Sequence, residues 1–152
     1  MSQYAYFALR DETTTAAEVT GYLGIEPDEV RVRASTRVFP PRPASHSWAV
    51  VSRTAKVGLD VYISRLLDRV VPVAGHVRRL VDDRGVEARL VLVRYFSDDQ
   101  GDDEEFDASI TPGGDLLKHI RGQHQQLGWF LSVEAMVLLT AMRATLWADE
   151  YD

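Results

Sequence analysis

The sequence contains no cysteine. That absence excludes disulfides, thiolate metal centres and a cysteine nucleophile together. No apolar run approaches the about eighteen residues of a membrane span, and the opening MSQYAYFALR lacks a basic segment followed by a long apolar one. A cytoplasmic protein with no membrane partner is therefore expected. There is no low-complexity tract, and the glycines of TPGGD (Thr111 to Asp115) and elsewhere fit no phosphate-binding loop. His119 and His124 stand five apart, not at the i, i+4 spacing of a helical zinc pair, and no serine, histidine and acid are spaced as a triad. The expectation is a non-enzymatic protein with no catalytic residue, no cofactor and no metal.

Charge is missing by sign as well as by type. Val30 to Arg53 holds five arginines and no acid, whereas Asp98 to Asp107 holds seven carboxylates and no base. The net charge of -6 hides this split: residues 1–97 sum to +3 and residues 98–152 to -9. Overall acidity argues against non-specific nucleic-acid binding, which depends on neutralising phosphates.

At 152 residues the chain is expected to form a single domain, 1–152, long enough to bury a core without staples. An acidic and polar segment around 98–127 reads as an insertion. The longest amphipathic run is Leu59 to Val81. Leu59, Ile63, Leu66, Leu67 and Val70 recur at helical spacing, with Arg65, Asp68 and Arg69 on the other side. Pro72 lacks an amide proton and its ring crowds the preceding turn, so a kink is expected there before the stripe resumes through Val73, Val77 and Leu80 to a stop at Gly85. Burying one such Leu, Ile or Val is favourable by roughly 1.5–3 kcal/mol, so this element can anchor the inner face of a sheet.

Strand periodicity recurs around it. Tyr4 to Arg10 sets Ala5, Phe7 and Leu9 against Tyr4, Tyr6 and Arg10, the period of a half-buried strand. Thr15 and Glu18 make a capping-box pattern ahead of a short helix that Gly24 ends. Val30 to Ser35 alternates again with Arg31 and Arg33 outward, a three-proline loop follows, and His46 to Ser52 is a third strand. Val86 to Phe96 is apolar on one face and, late in the run, on both, as suits a central strand. Thr111-Pro112 can open a helix through Leu116, Leu117 and Ile120, Gly128 to Ser132 is a candidate strand, Ser132 caps a further helix, and Thr145 to Asp152 closes as a strand. The fold class expected is α+β: a mainly antiparallel sheet with helices on one face, ferredoxin-like β-α-β-β-α-β followed by a further β-α-β unit. In an alternative, residues 106–131 replace one of these strands.

This pattern resembles a small uncharacterised bacterial family, the domain of unknown function 4279. The resemblance is carried by the opening strand, by LGIEP (Leu23 to Pro27), by WAVVS (Trp48 to Ser52) ahead of LDVYISRLLD, and by the final LLTAMRATLWADEYD. It implies a fold and supplies no activity or catalytic residue. Asp98 to Gln126 looks longer than such domains usually show.

Two groups of residues are candidates for binding. Arg31 and Arg33, with Arg37, Arg42, His46 and Trp48 near them in sequence, can form an anion pocket, because guanidinium forks pair with phosphate or carboxylate; the plainer reading is an outward face meeting solvent or the protein's own acids. Asp98, Asp99, Asp102, Asp103, Glu104, Glu105 and Asp107 can meet a basic partner or hold a weak cation, though their spacing is not that of a calcium loop; the plainer reading is a solvated loop. Tyr95, Trp129, Trp147 and Tyr151 can line a pocket or pack in the core. The first expectation is a protein-interaction module, by analogy of size and charge a toxin-neutralising one, with homodimerisation through a sheet face or edge as a plausible addition. The alternative is a small-molecule or anion-binding domain that uses the Arg31/Arg33 strand face and nearby aromatics. A metal-assisted hydrolase using the carboxylate run ranks last.

Overall fold

A computed structural model describes residues 2–33, 45–53, 58–95 and 129–151. The first strand, β1 (Ser2–Asp11), runs into α1 (Ala16–Leu23) through a turn closed by Asp11, whose Oδ2 accepts from the Thr14 amide at 2.6 Å and the Thr13 hydroxyl at 2.9 Å. Thr15 then caps the helix reciprocally with Glu18, as its spacing predicts. At the other end Gly24 takes φ +71°, the left-handed cap that a side chain resists.

Next come β2 (Glu29–Arg33), β3 (Ser45–Ser52) and α2 (Leu59–Val70). Pro72 falls in a single 3-10 turn, Val71–Val73, and the helix resumes as α3 (Ala74–Arg84). The missing amide is thus absorbed at a joint rather than inside a ladder. The chain continues with β4 (Glu87–Tyr95), α4 (Val133–Ala141) and β5 (Thr145–Tyr151).

The architecture is α+β with a mixed five-stranded sheet in the order β2-β3-β1-β4-β5. β2 with β3, β3 with β1 and β1 with β4 pair antiparallel, while β4 and β5 pair parallel. The last pairing corrects one expectation. Residues 129–132 form no strand, so the closing β-α-β unit borrows β4 as its first strand. A parallel neighbour needs a crossover, and α4 lies in that connection. Trp129 and Leu131 instead pack half-buried against the core, and Ser132 Oγ caps α4 by accepting from the Ala135 amide at 3.1 Å. The segments expected as a proline loop, an acidic loop and a helix from Pro112 lie outside the described residues.

One hydrophobic core lies between the sheet and the helices. Phe7, Leu9, Trp48, Val50, Leu90 and Leu92 supply the sheet side; Val19, Ile63, Leu66, Val70, Val77, Leu80, Leu139 and Met142 supply the helix side. Leu66, Phe7 and Val77 have no exposed surface. Among the described residues every helix contributes to this one core, so the opposite sheet face carries no helix. No helix among them is long and apolar enough to cross a membrane.

Candidate functional site

Strand alternation sends Tyr4, Tyr6, Ala8 and Arg10 of β1 away from the core, and the register fixes what stands beside each. Tyr6 is opposite Val51 and Val91, and Arg10 is opposite Ser47 and Glu87. Arg31 also faces Ser47, and Val91 faces Trp147. The helix-free face is therefore a continuous surface of tyrosine, tryptophan and arginine over small or β-branched residues. Ala8, Ala49, Val91 and Val93 lie within it and are buried.

Its aromatic groups are held in pairs. Tyr95 and Tyr151 stack with centroids 4.9 Å apart and planes 15° from parallel, brought together by the parallel β4–β5 register; Tyr4 and Tyr6 are 6.2 Å apart at 23°. Arg53 lies 4.7 Å over the Tyr4 ring and Arg89 4.5 Å over Trp147. Such cation–π contacts orient a guanidinium and a ring together. Burial, and then the neighbouring Tyr95, push the Tyr4 phenol above its ordinary range; the carboxylate of Asp149 does the same for Tyr151. Both therefore stay protonated donors at neutral pH.

The charged end of the face centres on Glu29, which pairs with Arg31 at 2.7 Å and with Arg53 at 2.8 Å. Arg89 pairs with Glu87. Tyr4, Tyr6, Arg10 and Ser47 join Glu29, Arg31 and Arg53 around a cleft of about 60 Å³. Arg10 is one of the lining residues, and its Nε is buried without a hydrogen-bond partner. The cleft offers forked donors and hydroxyls, which suit it to binding a small anionic group.

The candidate residues separate by strand parity. Arg31 is exposed on the helix-free face. Trp48 faces the core at 1% exposure, its indole N–H donating to Thr20 Oγ1 at 3.0 Å, and His46 shares its side of β3. Val30 is the register partner of Trp48 and Val32 that of His46, so Arg31 cannot share a face with either. The backbone of Arg33 pairs with Ser45 in the sheet, while Arg37, Arg42, and Asp98, Asp99, Asp102, Asp103, Glu104, Glu105 and Asp107 lie outside the described residues. Of the four aromatics singled out, Tyr95, Trp147 and Tyr151 lie on the helix-free face, and Trp129 packs partly buried against the core. Tyr4, Tyr6, Arg10, Glu29 and Arg53 join them without having been singled out. For the β1 residues the signal was present in the Tyr4 to Arg10 alternation, which gives their face but not their neighbours.

A second concavity of about 580 Å³ lies between α2 and α4, lined by Val61, Ile63, Leu67, Val71, Phe130 and Leu138 with Asp60, Asp68 and Glu134 among its polar groups. Phe130, which lines it, is about two-thirds exposed, as are Val133 and Val137 of α4.

Among the described residues, the fold and this face define an α+β domain whose sheet is covered by helices on one side. The chain belongs to the family described as Domain of unknown function (DUF4279), whose model matches residues 2–112. That span includes β1 to β4 and stops before α4 and β5, so the closing LLTAMRATLWADEYD lies outside the matched region. No curated protein and no solved structure matches the chain.

Proposed function

We propose that the chain is a non-enzymatic binding module that uses the helix-free sheet face to recognise another protein. One observation carries this reading: Tyr95, Trp147 and Tyr151 stay 36%, 47% and 47% exposed on a face that also presents Arg31 and Arg53. Tyrosine, tryptophan and arginine are the residue types that dominate binding energy at protein interfaces, because they bring large, stiff surfaces with a polar tip. Here the stacked rings and cation–π contacts already fix their rotamers, which lowers the ordering cost of association. For the scaffold, the antiparallel order β2-β3-β1-β4 supports a ferredoxin-like β-α-β-β-α-β unit to which α4 and β5 are appended.

The test is a quantitative pull-down from extract of the cells that make the protein, at low and moderate salt. Three baits are compared: wild type, Trp147→Ala with Tyr151→Ala, and a chain with Asp98 to Asp107 neutralised. The expected result is a discrete partner whose capture falls at least about tenfold with the double variant while the melting temperature stays within a few degrees. Equal capture by wild type and the double variant overturns the sheet-face reading. Loss confined to the neutralised bait assigns recognition to the acidic run instead.

A further inference from the structure

The cleft on the helix-free face carries more positive charge than its own carboxylate balances. Arg31 and Arg53 converge on Glu29, so one carboxylate serves two guanidiniums. Arg10 forms no ion pair among the described residues, and its buried Nε has no acceptor. A polar hydrogen taken out of water without a partner is costly, and native proteins usually supply one. The register explains the arrangement. Ser47 is opposite Arg31 on β2 and opposite Arg10 on β1, which sets a hydroxyl between two guanidinium-bearing strands in a single cross-sheet row. With strands about 4.8 Å apart, the two arginine backbones stand about 10 Å from each other. Long side chains spanning that gap can close on one small group from both sides.

We infer that this row is a binding site for an oxyanion headgroup, a phosphate monoester or a carboxylate, seated over Ser47 between Arg10 and Arg31. The cleft's volume of about 60 Å³ equals roughly two waters' share of liquid, about 30 Å³ each. That admits a headgroup and leaves the rest of its molecule outside. Glu29 is the internal competitor, because an incoming anion must share Arg31 and Arg53 with it. The site deepens the binding-module reading and rests on it, naming the chemistry that the recognition face anchors.

The full chain is titrated with sodium phosphate and, separately, sodium acetate at pH 7 and constant ionic strength, following amide and arginine Nε–H resonances. The expected outcome is a saturable shift centred on Ser47 and Arg10, with half-saturation at about 1 mM or below. Arg10→Met weakens binding about tenfold. Glu29→Gln strengthens it several-fold, and Asp149→Asn, which removes the same charge elsewhere on the face, changes it by less than about twofold. Shifts that fail to saturate, that sodium chloride alone reproduces, or that respond equally to Glu29→Gln and Asp149→Asn overturn the site. If Arg10→Met does not fold, the opposite sign expected of Glu29→Gln still decides. Phosphate binding alone assigns the site to phosphate monoesters, and acetate binding as tightly assigns it to carboxylates. Trp147→Ala with Tyr151→Ala leaves this titration unchanged, so the loss of partner capture and the loss of anion binding are separable failures.

Discussion

Arg143 is the described non-glycine residue with positive φ, at +55°, where the chain leaves α4 and turns into β5. The Ala144 amide reaches back to the Leu139 carbonyl at 2.9 Å, a helix-ending turn that normally favours glycine at this position. The arginine offsets part of that strain by donating from Nε to Asp82 at 2.8 Å, which also receives Arg78 at 3.0 Å. Replacing Arg143 by glycine or alanine removes the same exposed ion pair, but only alanine keeps the strained conformation. Arg143→Gly is therefore expected to be more stable than Arg143→Ala by about 1 kcal/mol, read from urea midpoints at unchanged slope.

Asp11, Asp28 and Glu18 are among the carboxyls that tie pH to stability. Burial opposes ionisation of Asp11, but hydrogen bonds from Thr14 and Thr13 outweigh it and hold that carboxyl well below the usual range. Asp28, also opposed by burial, is lowered by Arg69 and by the Val51 amide, and Glu18 by the Thr15 backbone and hydroxyl. Each folded-state value lies below its unfolded one. Their contribution is thus complete above about pH 5, where unfolded carboxyls are fully ionised, and is lost as pH falls through the folded values. Acid titration of denaturant stability should show a decline that begins at about pH 5 and is shallower in Asp11→Ala. Thr15→Ala should itself lower stability by about 1 kcal/mol at neutral pH through the lost cap.

At the scale of elements, α2 is the main link between helix layer and sheet, and Leu66 sits at its centre with no exposed surface. Leu66→Ala is expected to cost about 2–5 kcal/mol, and Leu66→Asp to abolish cooperative thermal unfolding, because an unpaired carboxylate cannot be accommodated there. The helices and most strands are legible from sequence, since each rests on local periodicity: the Leu59 to Val81 stripe, the Thr15/Glu18 box, the alternation from Tyr4 to Arg10. Neighbour relations are not local, and there the reading stops. The sequence places Arg31 and Trp48 on adjacent strands; only the Val30 to Trp48 register shows that they face opposite ways. Gly128 to Ser132 has strand composition, but β4 already lies between β1 and β5, and Trp129 and Leu131 gain burial against the core instead. The cleft escaped the sequence reading for the same reason, because Arg10, Ser47 and Arg31 meet only through two separate registers.

For the whole molecule, the strand order grades protection from solvent. β1 is hydrogen-bonded on both sides, by β3 and β4, whereas among the described residues β2 and β5 each have one strand neighbour. Amide hydrogen exchange should be slowest from Ala5 to Leu9 and faster by orders of magnitude in β2 and β5, where opening requires the loss of one neighbour only. Uniform protection across the five strands would contradict this grading. The same order has a consequence in time. Tyr4 to Leu9 is translated before either of its partners, and its β4 partners run from Ala88 to Val93. A chain made from its N-terminus can pair β1 with β3 once Trp48 to Ser52 have emerged, but the other edge of β1 stays open until Ala88 to Val93 have left the ribosome, and such non-local closure is slow. The strand at the centre of the finished sheet thus keeps an unpaired edge open to chaperones and to aggregation through more than half of synthesis.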